Sequence, residues 1–88
     1  MTVSILGQRY TLKYETNETM EGDMGACMPR KMWIKINKTI AKVQQEETLI
    51  HEVLHCISDE LLLGLDEGTI QRIAAGMHSC GCKVRVDK

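Results

Sequence analysis

The chain has 88 residues, 11 basic and 12 acidic, for a formal charge of -1, with 43% hydrophobic residues and no phenylalanine. That size predicts one soluble domain over 1–88, with an aliphatic core and a thin stability margin. The balanced charge offers no basic footprint for nucleic acid or an anionic membrane surface, and no apolar run approaches the roughly 18 residues of a spanning helix.

Met1 is followed by Thr-Val-Ser-Ile-Leu, without a basic start or a long apolar stretch. No secretory signal is expected, and a cytoplasmic address follows. Residues 2–6 and 9–14 alternate and are rich in β-formers, with Gly7-Gln8 as the expected two-residue hairpin loop. Residues 15–23 are polar and acidic and read as a loop. Residues 24–28 form a short predicted strand, Pro29-Arg30-Lys31 a turn, and 32–36 a returning strand. Proline cannot donate to a sheet ladder, so the turn suits Pro29. The first half thus predicts a small antiparallel sheet of three to four strands.

The period then changes. Ile50, Val53, Leu54, Ile57 and Leu61 recur at helical spacing. The predicted helix starts near Ile40 or Gln44 and stops at Gly64, since glycine accepts the left-handed conformation of a helix end. Asp66 is placed to cap a second helix with an apolar stripe of Ile70, Ile73, Ala74 and Met77. Cys80-Gly81-Cys82 ends it, and 83–86 are a short strand or a tail. The expected fold class is α+β, a sheet followed by two helices.

The first helix carries His51-Glu52-Val53-Leu54-His55. Histidines at i and i+4 share a helix face, so both imidazoles reach one ion. Zinc favours such nitrogen ligands, and a catalytic site leaves one position for water. Glu52, beside the first histidine, reaches that water as a general base. The alternative is a solvated pair of surface histidines. A third ligand is required. A metzincin would need glycine three residues after His55 and histidine six residues after it, where this chain has Ser58 and Leu61. The remaining candidates are carboxylates: Asp59, Glu60, Asp66 and Glu67. Glu60 points away from the histidines, and Asp59, one turn beyond His55, suits a hydrogen bond behind the ligand. Asp66 suits the cap, so Glu67 is favoured over it. Because Glu67 follows the turn closely, the second helix must cross back toward His55.

Leu49-Ile50-His51-Glu52-Val53-Leu54-His55, followed by Leu65-Asp66-Glu67-Gly68-Thr69-Ile70-Gln71-Arg72-Ile73-Ala74, resembles the gluzincin arrangement. More narrowly it is similar to small phage and mobile-element metallopeptidases of the ImmA/IrrE group. The resemblance spans about 23–78 and implies an antiparallel sheet, an active-site helix and a helix supplying a glutamate. It implies His51, His55 and Glu67 as Zn²⁺ ligands, Glu52 as general base, and a peptide or protein substrate, in that group often a regulator.

Other residues have plainer readings. His78 lies on the face of Glu67 but three turns on, about 16 Å away; an oxyanion-stabilising role competes with a surface position near the helix end. Cys27, Cys56, Cys80 and Cys82 read as free thiols, although His78-Ser79-Cys80-Gly81-Cys82 could build a second metal site with Cys27 or Cys56. Tyr10 and Tyr14 share a strand face and suit the core edge better than an oxyanion contact. Trp33 is expected to supply core bulk, and Met20, Met24, Met28 and Met32 are read as packing. The 25–28 strand, if it is an edge, could pair with a peptide.

Three functions compete. The leading one is a zinc metallopeptidase. The second is a catalytically silent zincin scaffold that binds or regulates. The third is a small protein stapled by a closed zinc site, with a cysteine such as Cys56 in place of water.

Overall fold

The computed structural model covers Met1–Lys88 and is α+β, a four-stranded sheet followed by two helices. The strands are β1 (Thr2–Ile5), β2 (Gln8–Glu15), β3 (Gly25–Met28) and β4 (Trp33–Asn37), and the helices are α1 (Lys42–Glu60) and α2 (Glu67–Ser79). Pro29–Lys31 form a single 3-10 turn between β3 and β4, where the missing proline N–H costs nothing.

The sheet order is β1-β2-β4-β3, and it is mixed rather than antiparallel. β1 pairs antiparallel with β2, and β3 with β4, but β2 and β4 run parallel in the middle. The reason is burial. β4 carries Ile34 and Ile36, both fully buried, and takes the centre. β3 carries only Gly25, Ala26, Cys27 and Met28 and is left at the edge. Alternation alone does not reveal that exchange of positions.

The first hairpin loop is Leu6-Gly7, one residue earlier than its glycine suggests, with Ile5 paired to Gln8. Both loop residues have positive φ, 51° and 79°, the turn that matches strand twist. The inward side chains Val3, Ile5, Tyr10, Leu12, Ile34 and Ile36 meet Leu49 and Cys56 of α1 in one core. Trp33 is only half-buried and lies outside that cluster, with the Lys35 ammonium 4.6 Å from its ring. Of the four spaced methionines, only Met20 is buried.

α1 ends at Glu60, four residues before Gly64. The Leu62 N–H reaches the Asp59 carbonyl at 3.3 Å and the Leu63 N–H the Ser58 carbonyl at 2.9 Å. This double closure places Leu62, at φ 54°, in the left-handed position that glycine usually fills. Asp66 caps α2, its carboxylate accepting from the Thr69 N–H at 2.7 Å. α2 packs chiefly on α1 and buries Ile70 and Ala74 completely, whereas Ile73 and Met77 stay at the solvent edge. Residues 83–86 form a tail whose Val84 and Val86 pack on the core, and Asp87 makes a two-hydrogen-bond bridge to Thr2. No helix is long and apolar enough to cross a membrane.

Candidate metal centre

The two helices form an antiparallel hairpin. At one end His78 of α2 approaches Glu46 (3.5 Å) and Glu47 (3.6 Å) of α1. At the other, Glu67 comes back beside His51 and His55. Residues 61–66 make this return, and the Ser58 hydroxyl accepts the Leu65 N–H at 3.1 Å, pinning the connection against α1. The required return of α2 toward His55 is therefore built by this turn.

The Glu67 carboxylate spans both imidazoles, with Oε1 at 2.6 Å from His51 Nε2 and Oε2 at 2.8 Å from His55 Nε2. The two Nε2 atoms are 3.2 Å apart. Two nitrogens bound to one tetrahedral zinc at about 2.0–2.1 Å would lie roughly 3.3 Å apart. The imidazole pair thus already has a one-ion bite. With Nε2 protonated, each ring donates to one carboxylate oxygen; an ion held here would take the place of those protons. A donor set of two nitrogens and one carboxylate fits zinc and also other first-row divalent ions.

These three side chains are the one group of three or more such donors close enough to hold an ion, all ligand atoms lying within 4.8 Å. Asp66 is occupied as the cap. Asp59 and Glu60 do not join the cluster, and the hydrogen bonds of His55 run to His51 and Glu67 rather than to Asp59. Cys56 is fully buried in the core, so a closed sphere completed by that thiol does not form. His78 stays at the far end of the hairpin. Tyr10 is buried in the core with its hydroxyl unpartnered, and Tyr14 lines a separate groove with Lys38, Lys42 and Lys83.

Glu52 lies deeper than the histidines and is buried at the interface of α1 and β3. Burial pushes its carboxyl above the usual range; a hydrogen bond from the Cys27 thiol and the nearby His51 and His55 act in the opposite direction. The Cys27 thiol is itself pushed up, by its interaction with the Cys56 thiol and by burial. Gly25 makes this packing possible. A Cβ there would fall 2.5 Å from Thr48 Cγ2 and 3.1 Å from Glu52 Oε2.

His51, Glu52 and Glu67 open on a cleft of about 310 Å³, walled by Asp23, Met24 and Gly25 on one side and Gln71 on the other. His51, Glu52 and His55 stand in the motif, and Glu67, favoured among the carboxylates, is the one that lies close to both histidines. Gly25 figured only as part of a possible peptide-pairing edge, and Gln71 had no expected role. A glycine inside a strand marks close approach of another element, and Gln71 sits one helical turn after Glu67. The contact of Cys27 with Glu52 had no sequence signal.

The chain matches no known protein family, and no curated protein or solved structure shows significant similarity to it.

Proposed function

We propose that this protein is a zinc-dependent peptide hydrolase. The observation that supports this reading most directly is the convergence of His51 Nε2, His55 Nε2 and the Glu67 carboxylate on one point, with Glu52 beside them on the same cleft. His51, His55 and Glu67 would hold the ion. A bound zinc polarises a carbonyl and makes water acidic enough to ionise near neutral pH. Glu52 accepts the water proton on its carboxylate and passes it to the leaving amine. Its burial suits that task, because desolvation favours the protonated carboxyl that the proton transfer creates.

The substrate is read as an extended peptide. β3 is an edge strand with one side paired to β4, and its Gly25 lines the cleft. A peptide adding to the free side of β3 would run past Glu52 and the metal ligands, held by main-chain hydrogen bonds that tolerate many sequences.

One observation favours a second reading, a silent scaffold that binds a partner without turnover. At about 310 Å³ the cleft is at the small end of ligand pockets. Glu52→Gln distinguishes the two. Zinc content by elemental mass spectrometry and cleavage of a quenched fluorescent peptide library are measured on wild type and variant. The hydrolase reading expects one zinc per chain in both and a fall in turnover of at least about 100-fold in the variant. Equal turnover in both removes Glu52 as the base. Zinc bound by both with cleavage by neither selects the silent scaffold.

A further inference from the structure

The end of α2 carries a feature that the proposed centre does not use. The Gly81 N–H reaches the His78 carbonyl at 3.1 Å and the Cys82 N–H reaches the Met77 carbonyl at 3.0 Å. This double closure ends the helix with Gly81 at φ 88°, a conformation open to glycine without strain. Its result is to bring the two flanking thiols together, Cys80 Sγ to Cys82 Sγ at 3.9 Å. Both cysteines are exposed and neither is in a disulfide. Two sulfurs bound to one tetrahedral zinc at about 2.3 Å lie roughly 3.8 Å apart. The helix cap therefore sets a bidentate sulfur bite in advance.

From this bite we infer that Cys80 and Cys82 form half of a thiolate metal site for a thiophilic divalent ion such as Zn²⁺, completed by the same pair from a second copy of the chain. The chain itself has nothing to complete it. Cys56 is buried in the core, Cys27 packs against that core in the sheet, and His78 faces Glu46 and Glu47. A structural zinc site closes with four protein ligands, so two exposed dithiols supply what one lacks. The cysteines stand at the exposed end of α2, with Ser79, Gly81 and Lys83 also exposed, so the approach of a second copy is open.

Binding balances as four thiols plus one M²⁺ giving a tetrathiolate complex of charge 2- and four protons. Lys83 and Arg85 follow Cys82 in the exposed tail, with Lys83 Nζ 3.8 Å from Glu46 and Arg85 Nε 3.6 Å from Asp87.

The test is a Cd²⁺ titration of reduced full-length protein, following the sulfur-to-cadmium charge-transfer absorption, with mass by light scattering. Wild type, His55→Ala and the Cys80→Ser/Cys82→Ser double variant are compared, and circular dichroism checks that each is folded. The inference expects the band to saturate at half an ion per chain with a doubled mass in wild type and in His55→Ala. Both signals are lost in the double variant. Absence of the band in wild type overturns it. So does a band that survives in the double variant, which would belong to Cys27 and Cys56, or saturation at one ion per chain on a monomer. Because His55→Ala disables the histidine centre and spares the dithiol, failure here leaves the hydrolase reading untouched, and the reverse holds too.

Discussion

Gly25→Ala tests how closely α1 lies on the edge strand. The added carbon would sit 2.5 Å from Thr48 Cγ2, about 1 Å inside ordinary carbon–carbon contact, and 3.2 Å from Glu52 Cγ. Thr48 is buried, and its branched Cβ resists rotation. Relief therefore means moving α1 away from β3. Overpacking of this kind costs about 1–3 kcal/mol. Gly25 does not have a positive φ, so alanine is conformationally allowed and recovers about 0.4–1 kcal/mol through the unfolded chain. The net expected loss is about 1–2 kcal/mol, in a domain whose total stability is on the order of 4–13 kcal/mol. Urea denaturation followed by circular dichroism measures it. The sharper assay is a double-mutant cycle with Thr48→Ser, which deletes the methyl that the new carbon meets. The alanine penalty is expected to fall by at least about 0.5 kcal/mol in the serine background. An alanine variant as stable as the parent, or equal penalties in both backgrounds, would refute the close approach and the packing argued for Glu52.

Glu67→Ala is expected to lower zinc affinity more than about 100-fold, beyond the 10–100-fold typical of residues that only support a ligand; unchanged affinity in a chelator competition would remove Glu67 from the donor set. Leu62→Gly should stabilise the fold by up to about 1 kcal/mol, because Leu62 is 89% exposed and held at φ 54°, where a side chain is a burden; thermal unfolding reads the shift. Asp66→Ala should destabilise at neutral pH and do so less in acid. Hydrogen bonds from Thr69 hold the Asp66 carboxyl below its ordinary 3.8, so its contribution is complete above that value and fades as pH falls through the lowered one. A penalty that stays constant down to pH 2, about two units below an ordinary carboxyl, would contradict the charged cap.

The two helices and their order were legible because their apolar positions recur at helical spacing and Asp66 precedes a free run of N–H groups. The proximity of three candidate donors was legible for a related reason, since His51 and His55 are one turn apart and Glu67 opens the next helix. Strand order was not. Alternating side chains report which face of a strand is buried and are silent on its neighbours, so the antiparallel reading missed the parallel pairing of β2 with β4. The helix end at Glu60 also escaped, because Leu62 occupies the left-handed position while a glycine stands two residues later. Trp33 misled by size: bulk predicted core, yet strand register turns it to the half-exposed face beside Lys35.

The site divides between two supports. His51 and His55 belong to α1, and Glu67 reaches them only because α2 folds back through the Ser58–Leu65 hydrogen bond and buries Ile70 and Ala74. The sheet has no part in that. Glu52, which neighbours His51 in sequence and opens on the same cleft, packs against the sheet edge, where β3 and the missing side chain of Gly25 set its position. Donors and base therefore respond to different perturbations. Loosening the helix hairpin releases the Glu67 carboxylate, which is 66% exposed and has no other anchor than the two imidazoles. Loosening the edge strand moves Glu52 and leaves His51, His55 and Glu67 in place. In a chain of 88 residues a single helix thus carries both the histidine pair and Glu52 to one cleft, and the sheet edge that positions Glu52 is the edge the proposed peptide would join.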